Sequence, residues 1–132
     1  MGRSICKIPH EGKDYYLVWS TICDSFITYG LELEEFTEWM REEEGNRYME
    51  DTHPGRMERV EKYGTSSRMD SSVEEVIGCN RCGPREKRIS MEGIIYKFIV
   101  MRGKEVDDEV MNKYRRPYTR EEAGDEFEEI NR

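Results

Sequence analysis

Between Tyr15 and Gly45 the spacing of hydrophobic positions changes from that of a strand to that of a helix. Tyr15–Trp19 is aromatic and β-branched, the composition of extended chain. From Leu31 the period lengthens. Leu33, Phe36 and Met40 stand at i, i+3 and i+7 with Trp39 at their border, and Glu32, Glu34, Glu35, Glu38, Glu42, Glu43 and Glu44 take the other positions. This predicts an amphipathic helix stopped by Gly45, its Leu33–Phe36–Met40 stripe packed on Tyr15–Trp19. The stretch holds both tryptophans, two of the four phenylalanines and three of the eight tyrosines, so the core is expected to be organised around it.

Upstream, Ile5–Ile8 and Tyr15–Trp19 flank His10-Glu11-Gly12-Lys13-Asp14, which reads as a hairpin with a loop of about five residues after Pro9. A third short strand is expected near Phe26–Tyr29. Downstream, Asn46–Gly55 shows no period. Pro54 suits the first turn of a second helix, capped by Thr52 or His53, carrying Met57 and Val60 and ending at Gly64. Ser72-Val73-Glu74-Glu75 has the form of a capping box, with Val73, Val76 and Ile77 on one face before Gly78. Ser90 caps a further segment in which Met91, Ile94, Ile95, Phe98 and Met101 keep helical spacing. Its β-branched content also suits a strand, and the spacing favours helix. Val106, Val110 and Tyr114 suggest a short helix before Arg115-Arg116-Pro117. Thr119–Glu122 is a second capping box, followed by Ala123, Phe127 and Ile130. The fold expected is α+β: a small N-terminal antiparallel sheet packed by four to five short helices. Residues 1–117 would form one domain, and 118–132 an acidic helix or tail.

At 132 residues the chain can bury one core despite being only 36% hydrophobic and 38% charged. It has no apolar run long enough to cross a membrane and no apolar leader region near Met1, so a cytoplasmic protein with reduced thiols is expected. The net charge of −8 is unevenly placed. Residues 32–44 carry seven Glu against one Arg, and residues 119–132 six acids against two Arg, whereas Arg81–Arg88 carries four cations and one acid. This balance disfavours direct nucleic-acid binding, which depends on neutralising phosphates. It favours a basic partner, although a charged row is also what the solvated face of any surface helix looks like.

Candidate chemistry is sparse. Cys79-Asn80-Arg81-Cys82-Gly83 has the form of half a zinc site, with no second pair to complete it. Zinc on Cys79 and Cys82 is therefore a subordinate reading, and no cofactor is expected. Arg81, Arg85, Lys87 and Arg88 lie before the Ser90 helix start, a setting that suits a phosphate-bearing ligand such as a nucleotide. No nucleophile elbow, phosphate loop, metalloprotease helix or dinucleotide fingerprint is present, so enzymatic activity is not expected.

Trp19-Ser20-Thr21, Asp24, Thr28-Tyr29-Gly30 and Leu33–Gly45, with Ser72–Ile77, Asn80, Gly83-Pro84 and Ser90, resemble the pattern of small accessory proteins encoded by tailed phages. The resemblance covers residues 15 to 100 and carries no catalytic residue. Phage proteins of this size and charge are similar in type to inhibitors of host defence, including anti-CRISPR proteins. The resemblance thus implies a non-enzymatic inhibitor of a bacterial defence complex, working in the host cytoplasm. It would bind a basic protein surface through Glu35, Glu38, Trp39, Glu42, Glu43 and Glu44. The alternatives are a module sequestering a nucleotide or other phosphate compound, and a zinc-stabilised accessory domain.

Overall fold

A two-residue turn sets the register of the N-terminal hairpin. The computed structural model describes residues 3–23, 25–79 (backbone only at Cys79) and 87–124. Strands β1 (Arg3–His10) and β2 (Lys13–Ser20) pair antiparallel from Arg3 opposite Ser20 to His10 opposite Lys13. Glu11 (φ 49°) and Gly12 (φ 79°) form the turn between them, both in the left-handed conformation that matches the twist of a tight hairpin. The loop is thus shorter than the five residues expected, and Pro9 lies inside β1. On β1 the Ile5 and Lys7 N–H groups point outward, to Ser66 Oγ at 2.8 Å and Gly64 O at 2.7 Å. Pro9 shares their parity, so its missing N–H removes nothing from the β1–β2 ladder.

The two-residue strand β3 (Ser25–Phe26) adds to the other side of β2, giving the order β1-β2-β3. The chain from Ile27 to Leu31 then stays stitched to β2. Ile27 N–H donates to Val18 O, Thr28 Oγ1 accepts from Val18 N–H, and Leu31 exchanges backbone bonds with Tyr16. Gly30 N–H donates to Phe98 O at 2.8 Å, tying the same segment to the C-terminal half.

Both faces of this sheet are covered, which is why β2 reads as a continuous apolar run rather than an alternation. One face presents Cys6, Ile8, Leu17 and Trp19 to α4 (Val73–Cys79) and to α5 (Met91–Ile95) with its continuation. Val73, Val76, Ile77, Ile94, Phe98 and Ile99 fill that layer. The other face presents Ile5, Tyr16 and Val18 to α1 (Leu33–Glu44) and α3 (His53–Tyr63) through Phe36, Met40 and Val60. The molecule is therefore α+β, with the small sheet between helical layers.

Several local expectations hold. Pro54 lies in the first turn of α3, and Gly64 (φ 81°) ends that helix. Ser90 Oγ accepts from Gly93 N–H at 3.1 Å as the cap of α5. Others differ. Asn46–Asp51 is a short helix, α2, rather than an irregular connection; it buries no residue, so no apolar period marks it. Ser72 Oγ does accept from Glu75 N–H, but the Glu75 carboxylate binds Ser71 N–H and Oγ instead of closing the box on Ser72. Beyond α5, Tyr96–Val100 is a π-helical turn, with Met101 N–H bonded to Tyr96 O five residues back. The wider turn carries Ile99 into the core and leaves Met101 half-buried.

Lys87–Ile89 is a strand, β4. It pairs antiparallel with β5 (Arg115–Pro117), and Arg88 stands directly opposite Arg116. Between them run α5 with its π-helical turn, then α6 (Asp108–Met111) and a 3-10 turn (Asn112–Tyr114). The chain as described ends in α7 (Arg120–Ala123), where the capping box of Thr119 with Glu122 is complete and Ala123 packs on Tyr118. Phe127 and Ile130 lie outside the described residues.

His53 at the start of α3 is buried beside Phe36 and Tyr48, with ring centroids 6.2 and 6.1 Å away, and its Nδ1 has no partner among the described residues. Burial, then the charges of Arg56 and Arg41, hold its pKa below the ordinary histidine value. The folded state therefore binds this proton less readily than the unfolded chain. Stability is full above the unfolded value of about 6.5 and declines as pH falls through it towards the lower folded value. Between pH 7 and pH 5 the melting temperature should fall, and His53→Gln should remove that component of the slope. An unchanged slope in the variant would show that His53 does not titrate on unfolding.

Candidate interaction surface on α1

Helix α1 owes its position to Phe36 and Met40. Phe36 is fully buried and stacks on the Tyr16 ring, with centroids 5.4 Å apart and planes 24° from parallel. Glu34 and Glu35 in the first turn and Arg41 in the last suit the helix dipole, and Gly45 N–H closes the end on Arg41 O. One part of the expected stripe is corrected: Leu33 is 50% exposed. Leu31, pinned opposite Tyr16, packs against the cluster in the place that periodicity gave to Leu33.

With Phe36 and Met40 inward, the helical period turns Glu34, Glu35, Glu38 and Glu42 outward, and all four are exposed. Glu43 and Glu44 are exposed in the last turn. Cations within the chain answer part of this charge. Glu35 meets Arg102 at 3.1 Å, Glu38 pairs with Arg41, Glu44 lies 3.8 Å from Arg3, and Glu32 lies 3.4 Å from Lys13. Glu34, Glu42 and Glu43 have no ion pair among the described residues. Trp39 is half-buried on the flank of the Phe36–Met40 cluster and offers its remaining edge to solvent beside the acidic row. At the start of the helix two large apolar groups stand out, Leu33 and the 46%-exposed Tyr29. The Tyr29 ring leans on Phe98, with centroids 6.4 Å apart. The apolar spacing of α1 had assigned Leu33 to the core, and nothing in the sequence marked Tyr29 as exposed.

The other candidates stand apart from this face. Arg81, Arg85 and Cys82 lie outside the described residues, as does the side chain of Cys79, so the two-cysteine zinc reading falls there too. Lys87 is exposed on β4. The Arg88 side chain is mostly buried, its Nε 3.6 Å from Glu122 Oε2. Among the described residues no three His, Cys, Asp or Glu side chains come together as a metal site. None of the described helices is long and apolar enough to cross a membrane.

Comparison with protein-family models, curated proteins and solved structures finds no match.

The polar cluster between sheet and α3 is structural in its chemistry. Tyr16 Oη and Lys7 Nζ each donate to Glu61, at 2.9 Å. Those bonds, Lys7 first, hold the Glu61 carboxyl below its usual range; burial, then the bond to Glu61, drives the Tyr16 phenol above its own. Each group is thus fixed further in its resting charge state, the opposite of a poised acid or base. Cys6 is likewise inert, because burial pushes its thiol up to about 12.

Proposed function

We propose that this protein is a non-enzymatic binding protein that docks α1 on a basic surface of a protein partner. The observation that carries the reading is the make-up of the exposed face. Glu34, Glu38 and Glu42 follow at i, i+4 and i+8, two of them without an ion pair among the described residues, and Leu33 and Tyr29 are exposed where the row begins. Clustered charge steers encounter and selects partners, whereas desolvated apolar anchors supply most of the affinity at an interface. Trp39 adds an aromatic edge to the same face. Glu35 and Glu44 can join by exchanging an internal cation for one on the partner.

The finer reading, an inhibitor of a bacterial defence complex acting in the host cytoplasm, rests on the resemblance to phage accessory proteins. Affinity capture from bacterial lysate tests both levels. The wild-type protein should retain a basic protein that a Glu34→Gln, Glu38→Gln, Glu42→Gln variant loses. Equal retention by the two forms would contradict the assignment to α1, and a partner unconnected with defence would contradict the finer reading.

A further inference from the structure

We propose that Arg88 and Arg116, paired across the β4–β5 ribbon, form a clamp for a phosphoryl group that the chain holds closed with its own Glu122. Two guanidinium groups directly opposite on adjacent strands repel each other unless an anion lies between them. Here the anion is the Glu122 carboxylate. Arg116 grips it through both Nη atoms, one to each oxygen at 2.7 Å. Thr119 donates to Oε1 through N–H at 3.0 Å and Oγ1 at 3.1 Å. The carboxylate is held well down, at a pKa of about 2, first by the bond from Arg116.

Arg88 is served less well. Its Nε is 3.6 Å from Oε2, beyond hydrogen-bond distance, and its guanidinium makes no hydrogen bond among the described residues. Yet its side chain is only 20% exposed, and it lies against Gly78, where a Cβ would collide with it. Arg116 already binds each carboxylate oxygen, and Oε1 also accepts twice from Thr119. A phosphoryl group brings a third oxygen, which Arg88 is placed to receive, and a second charge, which matches two arginines better than one carboxylate does. The internal ligand sits on a four-residue helix that rests on α4, and the one residue this helix buries, Ala123, packs in the small Tyr118–Ala123 cluster and not in the clusters on the sheet.

A tethered carboxylate competes at an effective concentration in the millimolar range or above, so free anions are excluded until Glu122 is displaced. The test is an NMR titration of the full chain with inorganic phosphate and, separately, with phosphoserine, at constant ionic strength. Glu122→Gln should bind either probe about tenfold or more tightly than wild type, and adding Arg88→Leu should abolish the gain. Equal affinity for the two probes places recognition on the phosphoryl group alone; preference for phosphoserine makes a modified side chain the source. A folded Glu122→Gln protein with no saturable gain, or a gain that survives Arg88→Leu, would overturn the proposal. If Glu122→Gln disturbs the ribbon, hydrogen exchange of wild-type Thr119–Ala123 decides. Faster exchange in phosphate than in chloride supports displacement of Glu122, and identical exchange overturns it.

Discussion

Phe36→Ala should lower the stability of the protein by about 4 kcal/mol, the largest loss expected from any single truncation on α1. The side chain is fully buried and its ring stacks on Tyr16 in the layer that holds α1 and α3 to the sheet. The hole left would be ringed by Ile5, Val18, Met40 and Val60, residues fixed on four separate elements, so collapse could fill little of it. Urea unfolding measures the loss. The contrast is Leu33→Ala on the same helix: half-exposed, it should change stability by only about 0.5 kcal/mol. A large effect at Leu33 with a small one at Phe36 would mean that α1 packs in a different rotation, with another face turned to solvent.

Gly93→Val should cost about 3 kcal/mol for the opposite reason, too many atoms rather than too few. A Cβ at position 93 would stand 2.5 Å from the Tyr114 Cβ and 2.9 Å from the Ile89 Cγ1. Neither neighbour can easily retreat. Tyr114 is stacked on Tyr96 at 5.6 Å, and its carbonyl accepts from Ser90 N–H at 2.8 Å. The variant must therefore lift α5 away from Tyr114 and Ile89 or distort the chain around them. A thermal melt at wild-type temperature would show that this junction is looser than its geometry.

The same glycine shows where sequence and structure part. In the chain it looks like a weakness in a helix; in the fold it is the position that lets α5 approach Tyr114. Such a role depends on a contact across about twenty positions of sequence, which no local period encodes. The parts that were legible are those with a strong local cause. Phe36 and Met40 stand out from a glutamate background, Val73, Val76 and Ile77 share one face, and Ser90 and Thr119 carry capping geometry in their immediate neighbours. Helix α2 was hidden because its six residues turn only the adjacent, half-buried Tyr48 and Met49 to the core, too few to show a period. The β4–β5 ribbon was hidden because three-residue strands of Lys, Arg, Ile and Pro do not look like strands until they pair.

The candidate surface was legible in its charge and not in its anchors. Glutamates outside the apolar stripe had to face solvent, and Glu35, Glu38, Glu42, Glu43 and Glu44 do. Which of them meet internal cations depends on Arg3, Arg41 and Arg102, two of which come from distant parts of the chain. Tyr29 and Leu33 became visible only when Leu31 was seen to fill the inner position.

The association rate with the captured partner, measured against salt, tests the central proposal most directly. Exposed charges act on encounter and are screened over about 8 Å at physiological ionic strength. Replacing Glu34, Glu38 and Glu42 together by Gln should slow association roughly tenfold or more at low salt and flatten its salt dependence. The melting temperature should stay near wild type, and exposed Glu74→Gln on α4 should leave the rate unchanged. An association rate unaltered by the triple replacement at low salt would contradict docking through α1.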